Sequence, residues 1–393
     1  MNCSPQSLAS ASVCFTECVS LGNAGAVKSF LLCQIASVGL KPSTFAAPTG
    51  FNFVPGSTGL TAIAAWNPAP AMATATELWT SSDNITYVLN SSNPVPASGA
   101  IVNAPAVGSF TFAKARYVSA TVQGAFCAPL EVSGRVCDWA KRVVANGGSQ
   151  TTLTERTAMN TLDLSLVSNS LDSQMTYVLT YVSSSLIGAI TPLYKVVGAD
   201  PAINTGFVAG DLTINGLQNS GGNSLDIGAT VAQLFASATS SGISLYAFTG
   251  GSEAGTLYDT GAFDGVSNQA TLRVNNGGNC VGCMFASGNQ LTVASPGAGF
   301  YSTNRVSAVD YRIFWGNSTN AFAQQGATLA GANGATFATD PSIPGLRQGG
   351  STTLWSNHRY SAALWHNGLT LAQATNLFNA VQALRVALGG GSV

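Results

Sequence analysis

The chain is short of charge. Only 8% of its 393 residues are Asp, Glu, Lys or Arg, whereas soluble domains average about 25%. Its 15 basic and 16 acidic residues give a net charge of −1, and it has two histidines. A near-neutral chain without clustered Lys and Arg lacks the surface that binds nucleic acid. Because acids and bases are also scarce, we expect a protein that is not an enzyme.

Long hydrophobic runs are missing as well. The chain is 46% hydrophobic with a mean hydropathy of +0.26, but no run approaches the roughly 18 apolar residues of a membrane-spanning helix. The first residues, Met1–Gln6, lack the basic region and the apolar stretch of a secretory signal. We therefore expect no membrane insertion, and exposure to the exterior by a route without a signal, as in a virus particle.

The pattern predicts a mainly β protein in four regions. Residues 1–40 predict a cysteine-rich helical hairpin. Residues 41–132 predict an immunoglobulin-like β-sandwich, because short alternating runs are separated there by turn residues. Residues 133–173 predict a two-helix connector, and residues 174–393 a second β domain that closes with an amphipathic helix.

The region of residues 41–132 has features of a known β-sandwich module. Trp66 precedes Asn67-Pro68, Tyr87 follows a turn, and residues 116–124 read Arg-Tyr-Val-Ser-Ala-Thr-Val-Gln-Gly. This arrangement resembles a fibronectin type III module, and an unspecified immunoglobulin-like sandwich fits it nearly as well.

The end of the chain carries a second resemblance. An aromatic strand over residues 360–365 is followed by an Asn367-Gly368 turn and by a helix that opens at Thr370. This succession resembles the closing segment of concanavalin A-like, or laminin G-like, domains. The resemblance implies a jelly roll over residues 174–393, in a family that includes both glycan-binding proteins and glycosidases.

Segments along most of the chain resemble virion proteins of tailed bacteriophages; they are residues 14–15, 31–35, 137–148, 207–213, 216–217 and 296–300. The resemblance implies an exposed component of the particle, such as a fibre or a decoration protein. Residues 1–40 would bind other virion proteins, and the C-terminal domain would bind host surface glycans. We expect a homo-oligomer, such as a trimer. The alternative is a cellular surface or secreted adhesin that binds glycans.

The N-terminal cysteines allow disulfides, a metal site or free buried thiols; they are Cys3, Cys14, Cys18 and Cys33. Zinc sites usually contain paired CxxC-type knuckles, which this spacing lacks. We expect at least one disulfide here, and neither a metal nor a cofactor in the protein.

Four further cysteines form two candidate disulfides. Cys127 and Cys137 flank the junction between the sandwich and the helical pair, where a bridge would fix the angle between domains. Cys280 and Cys283 form a CxxC in a turn between strands, whereas redox motifs of this type open a helix. A clasped hairpin is therefore expected at this CxxC.

Sugar recognition combines aromatic faces with a few polar groups that fix orientation. Three tryptophans of the C-terminal region lie close in sequence to an Asn, and two of them to a His as well. The alternative is that these rings belong to the core. The candidate ligand-binding residues are Trp315, Asn317, Trp355, Asn357, His358 and Trp365.

The supply of catalytic groups is thin. His358 and His366 are eight residues apart, which could place both on one strand face, but no acid lies near them in sequence. A glycosidase needs a pair of carboxyl groups, and Asp259 and Asp264, five residues apart, have the wrong parity for one face. Glu253 lies in a glycine-rich turn. We predict no catalytic residue.

Overall fold

The structure is a computed structural model that describes residues 45–71, 73–95, 100–181, 183–235, 237–249, 251–285, 290–330 and 334–391. The predicted hairpin of residues 1–40 lies outside these ranges, together with Cys3, Cys14, Cys18 and Cys33. No helix within these ranges is long and apolar enough to cross a membrane.

The described chain is mainly β, as predicted. The strands are β1 Asn52–Pro55, β2 Thr61–Ala65, β3 Ala75–Ser81, β4 Val88–Val95, β5 Ala100–Asn103, β6 Phe110–Val118, β7 Leu130–Ser133, β8 Met175–Thr180, β9 Tyr194–Lys195, β10 Ile203–Thr205, β11 Leu212–Thr213, β12 Gly216–Gln218, β13 Ser224–Asp226, β14 Ser241–Ala247, β15 Thr260–Phe263, β16 Gln269–Asn276, β17 Asn279–Met284, β18 Leu291–Ala294, β19 Gly299–Ser307, β20 Asp310–Gly316, β21 Ala323–Leu329, β22 Ser342–Ile343, β23 Leu346–Gln348, β24 Ser351–Thr353 and β25 Arg359–His366. The helices are α1 Gly134–Ala145, α2 Leu153–Ser168, α3 Leu186–Ile190, α4 Val231–Leu234 and α5 Leu371–Ala387.

The chain divides into two compact units. Among the described residues, unit 1 holds those up to 52 together with 64–100 and 113–130, and unit 2 holds 53–63, 101–112 and everything from 131 onward. This division differs from the predicted one in two ways. Segments of the predicted sandwich belong to unit 2, and the predicted helical connector is part of unit 2 as well.

Unit 1 shows the alternation of a sheet with one buried face. Strand β3 lies between β4 and β6. Leu78, Ala113, Ala115 and Tyr117 are buried, whereas the residues between them are half-buried on the other face. The hydroxyl of Tyr117 donates to the carbonyl oxygen of Asn67 at 2.8 Å. Period-two burial of this kind is typical of antiparallel sheets with one face toward a core.

Unit 2 contains two large sheets. One has the order β10-β13-β22-β15-β16-β17-β18, and the other β11-β12-β25-β14-β19-β20-β21, with β8 also paired to β25. One hydrophobic core joins them, because it contains Leu272 and Val274 of the first sheet and Leu245 and Trp365 of the second. The two sheets therefore form a β-sandwich.

Three helices cover the outer face of the second sheet. Tyr246, Phe314 and Leu364 of this sheet share a second hydrophobic core with residues of α1, α2 and α5, among them Trp139 and Leu377. The sheet is thus buried on both faces. The helical pair α1 and α2 is a layer of unit 2, because its apolar side is covered by this sheet.

A threonine caps the N-terminus of each of the two long helices α2 and α5. The side chain of Thr152 accepts from the backbone N–H of Glu155 at the start of α2. Thr370 does the same for the N–H of Gln373 at the start of α5. Both helices begin with a capping box, in which side chains satisfy amide groups that the helix leaves without partners.

Candidate functional site

Two of the predicted sugar-binding tryptophans are core residues. Trp365 is completely buried and packs edge-on against Tyr177, with ring centroids 5.9 Å apart. Trp315 is 6% exposed and belongs to the same core, beside Tyr301. The prediction for these two residues is wrong, because neither ring presents a face to solvent on which a sugar could stack.

The other predicted residues do not complete one exposed site. Trp355 is half-buried and Asn357 is exposed, with its backbone N–H donating to Oε1 of Glu253 at 2.5 Å. The side-chain oxygen of Asn317 accepts from the backbone N–H groups of Thr319 and Asn320, at 3.0 and 2.7 Å. The side chain of Asn317 therefore stabilises the turn that follows it in the chain.

His358 belongs to a buried network that the sequence did not indicate. Oδ1 of Asp259 accepts from Nδ1 of His358 at 2.7 Å, from the hydroxyl of Tyr360 at 2.6 Å and from Oγ of Ser356 at 3.0 Å. Oδ2 accepts from the backbone N–H of Val274 at 2.5 Å. The carboxylate and the imidazole are 99 residues apart in the chain, so no local spacing could have revealed this pair.

Electrostatics hold the pair in its charged form. Burial alone lowers the pKa of His358, but the charge and hydrogen bond of Asp259 outweigh it and raise the pKa to about 9. Burial alone raises the pKa of Asp259, and the charge of His358 reverses this effect and lowers it. An imidazolium has no lone pair with which to act as a general base. Since both side chains are buried, the network is a closed ion pair.

His366 is also closed to substrates. Its Nδ1 lies 2.7 Å from the carbonyl oxygen of Asn367, so this nitrogen carries the proton and Nε2 accepts from Oγ of Ser244 at 2.8 Å. Burial lowers the pKa of His366 to about 4, which keeps it neutral. The pair resembles a serine activated by a base, but both residues are completely buried.

The acidic residues considered for glycoside hydrolysis have different roles. Asp264 is half-buried in a loop, where its Oδ1 accepts from the backbone N–H groups of Val266, Ser267 and Asn268. Burial alone raises the pKa of Asp264, but these donors together outweigh it and lower the pKa to about 2. Asp259 is committed to the buried network. Within the described ranges, no group of three or more His, Cys, Asp and Glu side chains could hold a metal ion.

The described cysteines do not form the expected disulfides. Cys127 in unit 1 is a free thiol whose sulfur accepts from the backbone N–H of Ala115 at 3.2 Å. Cys137 is a free thiol on the buried side of α1, and burial raises its pKa to about 12. Cys280 and Cys283 both lie on β17, three residues apart. Because neighbouring strand residues alternate faces, their side chains point to opposite sides and cannot be bridged.

Unit 1 presents a half-buried face of alternating aromatic and cationic side chains, which we call the ladder face. It consists of Tyr87, Lys114, Phe126, Arg116 and Trp79. Nζ of Lys114 lies 3.7 Å from the ring centroid of Tyr87 and 4.5 Å from that of Phe126. The guanidinium carbon of Arg116 lies 4.8 Å from Phe126 and 5.4 Å from Trp79.

The geometry of two strands and the carboxylate of Glu77 position the side chains of the ladder face. Lys114 and Arg116 are two apart on β6, and Glu77 and Trp79 two apart on β3, so each pair shares a face. Oε2 of Glu77 accepts from Nε1 of Trp79 at 2.9 Å and from Nε of Arg116 at 2.7 Å. One acid thus positions one ring and one cation.

The ladder face extends to an exposed aliphatic residue. Leu89 of β4 lies directly opposite Trp79 in the antiparallel register and is 47% exposed. Cross-strand partners lie on the same side of a sheet, so Leu89 adjoins the Trp79 ring. Trp, Tyr and Arg are the residues that most often dominate the binding energy of protein–protein interfaces. The ladder face can therefore contact a ligand that carries both apolar faces and anionic groups.

Neither a family model nor a curated protein matches the chain. Solved structures resemble parts of it weakly. A fibronectin type III-like protein from Clostridium thermocellum has 23% identity and a TM-score of 0.20, over 22% of this chain and 88% of its own. A carbohydrate-binding module of a Ruminococcus gnavus sialidase has 12% identity and a TM-score of 0.26, over 36% and 84%. A two-domain fibronectin type III segment of chicken tenascin has 10% identity and a TM-score of 0.21, over 68% and 90%.

Proposed function

We propose that this protein is a non-catalytic surface protein that binds glycans through the ladder face of unit 1. The observation that carries the proposal is the alternation of half-buried aromatic rings with two cations on one side of a sheet. Beside the two cations, the half-buried rings leave part of their apolar surface for the carbon–hydrogen groups of sugars, and the polar groups next to them fix orientation. This proposal places glycan recognition in unit 1, whereas the sequence favoured the C-terminal tryptophans, which belong to unit 2.

The charge balance of the face favours acidic glycans. Glu77 is paired with Arg116, at 2.7 Å. Among the described residues, Lys114 has aromatic neighbours but no carboxylate partner. A cation without a carboxylate partner gains a strong, charge-assisted hydrogen bond when a sugar carboxylate binds. A glycan that contains uronic or sialic acid units therefore fits the face better than a neutral one.

The test compares two charge reversals in the full chain. We expect the unmodified protein to bind immobilised acidic polysaccharides, and Lys114→Glu to weaken this binding at least tenfold, measured by biolayer interferometry. Lys141→Glu is the matched control, because Lys141 is exposed on α1 of unit 2. The proposal is wrong if the folded protein binds no glycan, or if the two variants bind equally.

We further propose that the protein is a component of a bacteriophage particle, of the fibre or decoration type. The support is the resemblance of the segments over residues 137–148, 207–213 and 296–300 to such proteins. On this proposal unit 2 is a concanavalin A-like jelly roll, residues 1–40 bind other virion proteins, and the protein is a homo-oligomer. Mass spectrometry of purified particles tests the location. Detection in the cell envelope alone would favour the adhesin alternative.

A further inference from the structure

A cavity of about 290 Å³ lies in unit 2, at the start of α2 and the end of α5. It is lined by four hydroxyl-bearing residues, one carboxylate and two aliphatic side chains, namely Thr152, Thr154, Ser183, Ser184, Glu155, Ile214 and Leu388. We call it the Glu155 cavity. None of these residues belongs to the ladder face, so the cavity is an independent feature of the molecule.

The carboxylate of the cavity is saturated by the protein itself. Glu155 is 4% exposed. It accepts from the backbone N–H of Thr152 at 2.6 Å, from Oγ of Ser183 at 2.8 Å, and from both the backbone N–H and Oγ of Ser184. A carboxylate has about four acceptor positions. Burial raises the pKa of Glu155, but these donors outweigh it and lower the pKa, so the group is an anion that a ligand does not need to contact.

The hydrogen bonds to Glu155 determine which donors and acceptors the neighbouring hydroxyl groups have left for a ligand. Ser183 and Ser184 donate their hydroxyl protons to the carboxylate, which leaves their oxygens as acceptors. Oγ1 of Thr152 accepts from the N–H of Glu155 at 3.2 Å, which leaves its proton to be donated. Thr154 is exposed, and its hydroxyl both donates and accepts. The cavity therefore presents acceptors and donors in one small volume.

The remaining wall is aliphatic. Ile214 is 57% exposed and Leu388 is half-buried. The volume is close to the lower end of about 300 Å³ for small-molecule pockets, which fits a single ring. Glu155 is the one charged side chain among the described residues that line the cavity, so an anionic ligand would be repelled.

We propose that the Glu155 cavity binds one neutral, polyhydroxylated ring, such as a single pyranose unit. The hydroxyls of such a ring both donate and accept, as the serine and threonine side chains require, and its carbon–hydrogen face packs on Ile214 and Leu388. The ring has two sources, a free monosaccharide or the neutral end of a longer glycan. Both present the same chemistry to the cavity.

Saturation-transfer NMR of the full chain with methyl hexopyranosides tests the proposal. We expect binding of at least one neutral glycoside at millimolar concentration, and binding of the corresponding methyl glucuronide at least tenfold weaker. An oligosaccharide that ends in the same neutral unit distinguishes the two sources, because it binds more tightly if the natural ligand is a glycan end. If it binds no better than the glycoside, the free sugar is the ligand.

Two matched variants locate the site. Ile214→Trp fills the cavity mouth and should weaken binding at least tenfold, whereas Ile203→Trp, at a residue that is 52% exposed on β10, should leave it unchanged. Thr154→Val removes one hydroxyl and should weaken binding several-fold. The proposal is overturned if no neutral glycoside binds, or if Ile214→Trp binds normally. It is also overturned if Lys114→Glu abolishes the binding, since the glycoside would then occupy the ladder face. Loss of acidic-glycan binding alone would leave the cavity proposal intact.

Discussion

The buried pair of Asp259 and His358 makes the stability of unit 2 depend on pH. Folding raises the pKa of His358 from its ordinary value of 6.5 to about 9, so the folded state holds the proton more tightly than the unfolded state. The stabilisation from protonation is therefore complete below pH 6.5. It decreases as the pH rises and is lost once the pH passes 9.

The magnitude follows from the two pKa values. Each pH unit between them corresponds to about 1.36 kcal/mol, so the interval from 6.5 to about 9 amounts to roughly 3 kcal/mol. His358 is 3% exposed, so solvent screens this contribution little. A loss of this size is a large part of the 5–15 kcal/mol that is typical of folded domains.

Urea unfolding at pH 6.0, 7.5 and 9.0 measures the effect, with tryptophan fluorescence as the signal. Subtracting His358→Gln from the unmodified protein removes the contributions of other titrating groups. We expect the difference in the free energy of unfolding to fall by roughly 3 kcal/mol from pH 6 to pH 9. His366→Gln is the control, because His366 has a pKa of about 4 and stays neutral throughout. If the protein and His358→Gln lose stability in parallel, the charged pair does not exist.

Two further substitutions and one control test an ion pair and a close contact in unit 2. Asp163→Asn leaves Arg135 without its partner at 2.6 Å, in a place where Asp163 is completely buried, and should cost about 3 kcal/mol in urea unfolding; an unchanged midpoint would contradict this. Gly242→Ala places a Cβ 2.2 Å from the ring of His366 and should cost about 1–3 kcal/mol. Gly210→Ala has open space around the new Cβ and should change the midpoint little, and equal effects of the two alanines would refute the clash.

The sequence predicts those elements that are rich in apolar residues and are bounded by clear turn or capping residues. The predicted strand over residues 360–365 lies within β25, and the helix α5 begins after the predicted cap Thr370. Strand β19, Gly299–Ser307, is not predicted, because Ser302, Asn304 and Arg305 interrupt its apolar pattern although all three are buried. The core satisfies them, since Ser302 bonds Ser244 at 2.6 Å and Arg305 donates to a carbonyl oxygen at 3.1 Å. Such a strand forms because hydrogen-bond partners that are distant in sequence satisfy its buried polar side chains.

The site was less accessible to sequence reasoning than the fold. Trp315 and Trp365 had the right composition for sugar binding, but a tryptophan beside an Asn does not reveal which face of a strand meets the core. The ladder face left only a weak signal in the sequence, because Trp79 and Arg116 lie in two predicted strands, whereas Lys114 lies between two predicted strands. The order in which those strands pair was needed to bring these side chains together.

Part of the scarce charge lies inside the protein. Among the charged residues that the structure describes, eight are buried, namely Glu155, Arg156, Asp163, Asp226, Asp259, Arg273, Arg305 and Arg385. Arg385, for example, donates to Oγ of Ser361 at 2.6 Å and lies over the ring of Tyr246. Because these charges serve internal contacts, few remain outside to be stripped of water when two copies meet. With a net charge of −1, repulsion between copies is weak as well, and both conditions favour the proposed homo-oligomer.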